Sequence, residues 1–271
     1  MGILIKAGDP CASEMKTIAI ITGAAGGIGR ELIKSMPNRQ RYQEIWVLGR
    51  NEQTLQALQE ETTCTIRPVI CDLSDPDFIE TISNLLEAEQ PIVKLLINAA
   101  GYGIFRSASE TSMEDNLGMI DVNCRALVAM TQLALPYMSS GSVIIQIASV
   151  AGFQPIPYIN IYGASKAFVL SFGRALNVEL RSRKIRVLTI CPFWTKSAFF
   201  DRAIDQKKPP VIKKYIAMYE PSYIAECIWK AYKRPWQELC IPGWKSKLQV
   251  LGVKLLPHRL IMEIWLKQQK L

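Results

Sequence analysis

Thr17-Ile18-Ala19-Ile20-Ile21-Thr22-Gly23-Ala24-Ala25-Gly26-Gly27-Ile28-Gly29-Arg30 is the stretch on which the fold turns. A β-branched apolar run ends in a glycine cluster, and a helical segment starts directly after it. Glycine lets the backbone turn sharply and approach a ligand closely. A helix N-terminus adds free N–H groups and the positive end of its dipole. A strand, a glycine turn and a helix in that order therefore read as a pyrophosphate cradle, in which Gly23, Ala25, Gly26, Gly27, Ile28 and Gly29 face the anion.

The same alternation continues outward. Apolar runs lie at Glu44–Leu48, Ile66–Cys71, Lys94–Ile97, Ser142–Ala148 and Ile185–Cys191, with a weak seventh at Leu239–Ile241. Runs this continuous suit strands buried on both faces. Helical stretches separate them, among them Met113 to Met138 and Tyr158 to Arg183. The expectation is an α/β fold: a Rossmann-type, doubly wound, mainly parallel seven-stranded sheet in a single domain. Residues 1–15 read as an N-terminal extension, since Met15-Lys16 stands just before the first strand. Residues 16–243 form the dinucleotide-binding and catalytic domain, with a substrate lobe at 196–222. Residues 244–271 are a basic amphipathic tail.

Composition narrows the chemistry. Of 271 residues, 49% are hydrophobic, enough for a sizeable core. The seven cysteines are odd in number and widely spaced, without a Cys-x-x-Cys, which suits buried thiols in a reducing, cytoplasmic setting. The one histidine, His258, lies in the tail, so neither a histidine-rich metal site nor a Ser-His-Asp triad fits, and no metal is expected. The first residues lack the apolar length of a secretory signal, and Lys6 occupies the place where an acylation signal after Gly2 needs a hydroxyl. The net charge of +8 favours anionic ligands such as phosphates, acyl-CoA or a membrane surface. Lys207, Lys208, Lys213 and Lys214 form either a contact for such an anion or a solvated face. No nucleic-acid partner is expected.

The second strand ends Val47-Leu48-Gly49-Arg50-Asn51. An NAD site usually has an acid here for the ribose hydroxyls, and Gly49 takes its place. Arg50, with Asn51 beside it, can pair with a 2′-phosphate, so NADP(H) is expected in preference to NAD(H). Asp72, before Leu73, either accepts from the adenine amino group or caps the next turn.

Tyr162 and Lys166 lie four residues apart at the start of a long helical stretch, on one face of it. A phenol titrates too high for easy proton exchange at neutral pH, and a nearby ammonium favours the phenolate. Ser149 closes the fifth strand, where its hydroxyl can hydrogen-bond the same substrate oxygen. Such a set suits the interconversion of a carbonyl and an alcohol.

In this combination the chain resembles the short-chain dehydrogenase/reductase family over roughly residues 16–243. The resemblance rests on Thr22-Gly23-x-x-x-Gly27-Ile28-Gly29, Asn98-Ala99-Ala100-Gly101, Asn123, Ser149 and Tyr162-x-x-x-Lys166, in the family's order. It implies that Tyr162 is the general acid/base and that Lys166 binds the nicotinamide ribose and lowers the tyrosine pKa. It implies further that Ser149 orients the carbonyl, that Asn123 holds a water leading from Lys166 to solvent, and that Asn98, Ala99, Ala100 and Gly101 line the cofactor. After the sixth strand the family commonly has Pro-Gly-x-Val-x-Thr. Here Pro192-Phe193-Trp194-Thr195-Lys196-Ser197 stands instead, with Ser197 at the threonine position. Pro192, Thr195 and Ser197 are then expected at the cofactor, and Phe193 and Trp194 at the substrate.

Tyr102, Phe105, Phe153, Ile156, Tyr158, Phe199 and Phe200 suggest a lobe for a bulky apolar ketone or alcohol, such as a hydroxysteroid, a bile acid or a 3-oxoacyl chain. The tail reads as two amphipathic helices parted by Pro257, with four open roles: membrane contact through 245–271, a dimer seam, a cover for the substrate site, or packing on the chain's own core. A homo-oligomer, dimer or tetramer, is expected. A cofactor-binding sensor without catalysis is the competing class, and the intact Asn123, Ser149, Tyr162 and Lys166 set argues against it.

Overall fold

The computed structural model describes residues 15–204 and 210–271. Its strands are β1 (Thr17–Thr22), β2 (Glu44–Gly49), β3 (Ile66–Ile70), β4 (Ile92–Asn98), β5 (Val143–Ile147), β6 (Arg186–Ile190) and β7 (Leu239–Cys240). They form one sheet in the order β3-β2-β1-β4-β5-β6-β7, and every neighbouring pair is parallel. The winding reverses between β1 and β4, and a crevice opens beyond the carboxyl ends of those two strands.

The helices are α1 (Gly27–Lys34), α2 (Glu52–Gln56), α3 (Phe78–Glu89), α4 (Met113–Ile120), α5 (Ala126–Ala134), α6 (Asn160–Glu179), α7 (Phe199–Ala203), α8 (Pro221–Tyr232), α9 (Trp244–Leu255) and α10 (His258–Gln269). Side chains alternate across a strand, so each strand feeds two cores. Ala19, Ile21, Ile45 and Val47 pack under α1 and α8, against Leu32, Ile33, Ile228 and Trp229. Ile18, Ile20, Trp46 and Leu48 face the other way, toward Phe78 and Ile82 of α3, Met130 of α5 and Leu176 of α6.

The helical stretch from Met113 to Met138 is not continuous. Between α4 and α5 the chain makes a π turn over Asp121–Arg125, and Leu135–Tyr137 close the segment as a 3-10 turn with Pro136 near its start. A π turn inserts one residue into the helical ladder and swings the neighbouring side chain out of register. That side chain is Asn123, fully buried. Beyond the sheet edge, Phe105, Ile156, Ile159, Ala203, Ile212 and Trp265 form a separate core that joins the lobe to α10. The extension at residues 1–14, Cys11 within it, and the lobe lysines Lys207 and Lys208 lie outside the described residues.

Candidate active site

β1 runs straight into the glycine loop. Gly23 sits at φ +66°, and a Cβ there would lie 2.7 Å from the Ala100 backbone nitrogen. Gly29 closes the loop from the other side, since a Cβ on it would come within 2.9 Å of the Gly23 carbonyl carbon. Side chains at either position would fill the cradle. Gly26 caps α1 with no side-chain hydrogen bond to the first turn, which leaves those N–H groups for an anion, beside exposed Ala25. Ser197 reaches over the loop: a Cβ on Gly27 would meet the Ser197 Cβ at 2.7 Å. Shape, open donors and dipole together fit a dinucleotide pyrophosphate.

At the carboxyl end of β2, Arg50 follows the strand with its side chain largely exposed and 3.9 Å from Asp72. Asn51 is committed to the protein, its side chain capping α2 by accepting from Thr54 N at 2.9 Å. Asp72 accepts from Ser74 N at 2.9 Å and from Ser74 Oγ at 2.6 Å. Burial opposes its charge, yet the Ser74 bonds and the Arg50 and Arg202 guanidiniums hold its carboxyl below the usual range. Arg202, in α7, lies over the Tyr102 ring, its Cζ 3.4 Å from the centroid. The sequence reading had not singled it out, because only the lobe's return path brings it to this end of the crevice. Leu73 packs in the core.

Asn98 is buried, and its Nδ2 donates to Thr131 Oγ1 and Gln146 Oε1, both at 3.1 Å. It ties β4 to α5 and β5. Ala100 N donates to Thr22 Oγ1 at 3.1 Å, which joins the ends of β1 and β4. Ala99 and Gly101 line the crevice with Ile28.

The three candidate catalytic side chains, Ser149, Tyr162 and Lys166, converge beyond the carboxyl end of β5. Ser149 Oγ accepts from Ala151 N at 3.1 Å and donates to Pro192 O at 3.4 Å. Tyr162 stands on the first turn of α6. Burial pushes its phenol up to about 12, and a hydrogen bond with Ser149 works in the opposite direction. Lys166 is buried, donates from Nζ to Ile147 O at 2.9 Å, and lies 5.8 Å from the Tyr162 ring centroid. Burial lowers its ammonium to about 8. For both groups the loss of hydration on burial is the largest influence, raising the phenol and lowering the ammonium.

Asn123 is locked from both ends. Its Nδ2 donates to Tyr102 O at 2.9 Å and to Ser165 Oγ at 3.0 Å, and its Oδ1 accepts from Tyr102 N at 3.0 Å. A Cβ on Gly101 would stand 2.9 Å from Asn123 Oδ1 and 3.1 Å from Lys166 Nζ, so the asparagine and the lysine border one space.

Ser149, Tyr162 and Lys166 open into a cavity of about 290 Å³. Pro192, Phe193, Trp194, Thr195 and Ser197 all lie on its wall, and the segment is held by Tyr219, whose N donates to Trp194 O at 2.8 Å. Ile156, Phe199 and Phe200 line it as well. Tyr102, Phe105, Phe153 and Tyr158 do not. Phe105 is a core residue of the lobe, with its ring 5.7 Å from Trp194 and 5.9 Å from Phe199.

The far wall comes from the tail. Gln249, Val253, Leu256, Ile261, Ile264 and Trp265 complete the cavity. Trp265 Nε1 donates to Pro157 O at 3.2 Å, and Gln269 Oε1 accepts from Lys213 N at 2.8 Å and Lys214 N at 2.9 Å. Of the four roles left open for the tail, covering the site is one the structure displays. Its spacing showed apolar faces but not which face turned inward.

The short chain dehydrogenase family matches residues 17–208. The chain belongs to this family, and with it to the NAD(P)-dependent oxidoreductases. It is 31% identical over 219 residues to the NADP-dependent 3-hydroxy acid dehydrogenase of Escherichia coli strain K12, covering 78% of this chain and 87% of that one. A short-chain dehydrogenase from Sphingobium yanoikuyae in complex with NADPH superposes with a TM-score of 0.73 at 25% identity, over 88% of this chain and 93% of that one. The closed form of a serine dehydrogenase complexed with NADP+ does so with a TM-score of 0.69 at 30% identity, over 79% and 88%. Among the described residues, no group of three or more His, Cys, Asp or Glu could hold a metal ion.

Proposed function

We propose that the chain is an NADP(H)-preferring carbonyl reductase/alcohol dehydrogenase for a bulky, apolar ketone or secondary alcohol. The observation that carries this reading is the Ser149–Tyr162 hydroxyl pair at one end of a mostly apolar cavity beside the glycine loop. When bound, the nicotinamide cofactor supplies or accepts the hydride. The glycine loop holds its pyrophosphate, Arg50 its 2′-phosphate, and Thr195 and Ser197 the nicotinamide end. NADP-bound relatives and the Gly49-Arg50 pair support the phosphorylated form.

The protein's own residues manage the proton. Ser149 orients the substrate oxygen, and Tyr162 donates to it during reduction or withdraws the alcohol proton in reverse. A phenol at about 12 in the free chain holds its proton through the neutral range, and the Ser149 hydrogen bond works toward easier release. Lys166 fixes the ribose and adds positive charge as the phenolate forms. Asn123, which borders the same space as the Lys166 ammonium, takes the role of holding a water that leads from Lys166 to solvent. The apolar lining suits a hydroxysteroid, a bile acid or a 3-oxoacyl chain.

A second copy of the chain packing on exposed Leu117, Ile120, Phe168 and Val178 of α4 and α6 would give the dimer or tetramer. The dispersed free thiols support a reducing, cytoplasmic setting.

The test is turnover of NADPH with a panel of ketones, in wild type and Tyr162→Phe. The variant should lose about 10²–10⁴-fold in kcat/KM with NADPH affinity unchanged. Tight NADPH binding with no wild-type turnover on any ketone would make the chain a cofactor-binding sensor instead.

A further inference from the structure

We infer that α9 and α10 dock on an anionic lipid surface and that the cavity takes its substrate from that surface. Trp244, Leu248, Leu251 and Leu255 recur at steps of four, three and four, which puts them on one face of α9. That face is turned outward: the four side chains are 70%, 61%, 54% and 74% exposed. The opposite face, with Ser246, Val250 and Val253, is buried. A surface helix on its own core normally shows polar residues on the outside. Here the apolar stripe faces outward, and Lys245, Lys247 and Lys254 flank it, all exposed.

The cavity opens onto the same apolar ground. Leu256, Ile264 and Ile216 belong to its lining and are 41%, 49% and 51% exposed. Leu260 of α10 continues the surface beside them. The wall thus passes from the catalytic hydroxyls to the outside over apolar side chains, with exposed Lys214 at the mouth.

Charge selects the occupant. Residues 244–271 hold six lysines and arginines against one glutamate, Glu263, which lies 3.4 Å from Arg259. A second copy would bring the same lysines to the same stripe, whereas an anionic headgroup layer meets the lysines while the acyl region meets the leucines. None of the described helices is long and apolar enough to cross a membrane, so the contact is a surface one. The delivery of substrate rests on the oxidoreductase reading; the docking does not.

The experiment is co-sedimentation of the full chain with vesicles of phosphatidylcholine alone or mixed with phosphatidylglycerol. The chain should bind the mixed vesicles and bind phosphatidylcholine alone weakly. Leu248→Gln/Leu251→Gln/Leu255→Gln should weaken binding by about tenfold or more, since the lost contacts are those with the acyl region. Its melting temperature should stay near that of wild type, because these side chains are already exposed. Lys245→Glu/Lys247→Glu/Lys254→Glu should remove the preference for the anionic mixture. With a ketone dissolved in vesicles the leucine variant should lose kcat/KM, and with a water-soluble ketone it should not. Wild type that fails to bind anionic vesicles, equal binding by both variants, or dissociation of a wild-type dimer by the leucine changes with vesicle binding untouched would each overturn the inference. A protein without turnover that still binds vesicles supports the docking and counts only against the oxidoreductase reading.

Discussion

At the scale of single residues, position matters more than identity. Arg50 stands just beyond β2, and its 3.9 Å contact with Asp72 is loose and exposed. Such a pair contributes little to stability, which leaves the guanidinium free for a phosphate. Arg50→Ala should therefore weaken NADPH by about 10- to 100-fold, the worth of a charge-assisted bond, and leave NADH nearly unchanged. Equal losses for both cofactors, measured by fluorescence titration, would remove Arg50 from the 2′-phosphate. Lys166 gives a stability test. Burial holds its folded pKa at about 8, below the ordinary 10.5. Between those values the unfolded chain binds a proton that the fold does not, so stability rises with pH across that window. Relative to Lys166→Met, the unfolding free energy of the cofactor-free protein should climb by about 3 kcal/mol from pH 8 to 10.5, read by denaturant titration. A flat difference would mean the ammonium is better solvated than its burial indicates. Tyr162, Lys166 and Ser149 were readable as candidates from their spacing and strand position. Their proton affinities were not, because hydration loss is set by every element that encloses them.

Whole elements show where local sequence stops being informative. The β1–loop–α1 unit is specified within a dozen residues, since φ +66° at Gly23 excludes a side chain there. Gly23→Ala should cost about 1–3 kcal/mol in backbone strain and reduce dinucleotide affinity with it. Retained melting temperature and affinity would show that the loop adjusts. The π turn over Asp121–Arg125 was hidden inside an unbroken helical pattern. It exists because Asn123 exchanges three hydrogen bonds with Tyr102 and Ser165, residues far from it in the chain. The place of α10 is also decided at a distance, by Trp265 on Pro157 and Gln269 on the 213–214 backbone. Trp265→Ala should cost about 3–5 kcal/mol if the site stays empty. Less would be lost globally if α10 frays alone, and in either case KM for bulky ketones should rise while NADPH affinity holds. An unchanged KM would mean that the tail wall does not touch substrate.

The molecule as a whole carries a net charge of +8. Its cofactor bears several negative charges, so association of NADPH should slow and weaken as ionic strength rises, by stopped-flow fluorescence, and more steeply than that of NADH. Equal salt slopes for the two cofactors would show that the overall field does not distinguish them. The seven parallel strands of a doubly wound sheet and the glycine turn between the first strand and helix followed from the sequence by itself, because strand periodicity and turn chemistry act between near neighbours; the strand order did not. The placing of Ser149, Tyr162 and Lys166 at strand and helix ends also followed from the sequence. Only the tertiary structure decided what lines the cavity. Tyr102 and Phe105 carry the right chemistry for a pocket, yet Tyr102 lies under Arg202 and Phe105 fills the lobe's core. The tail supplies the wall instead, since Trp265 meets Pro157 across 108 residues of chain. Contacts of that length depend on the sum of all intervening packing, which no local pattern encodes.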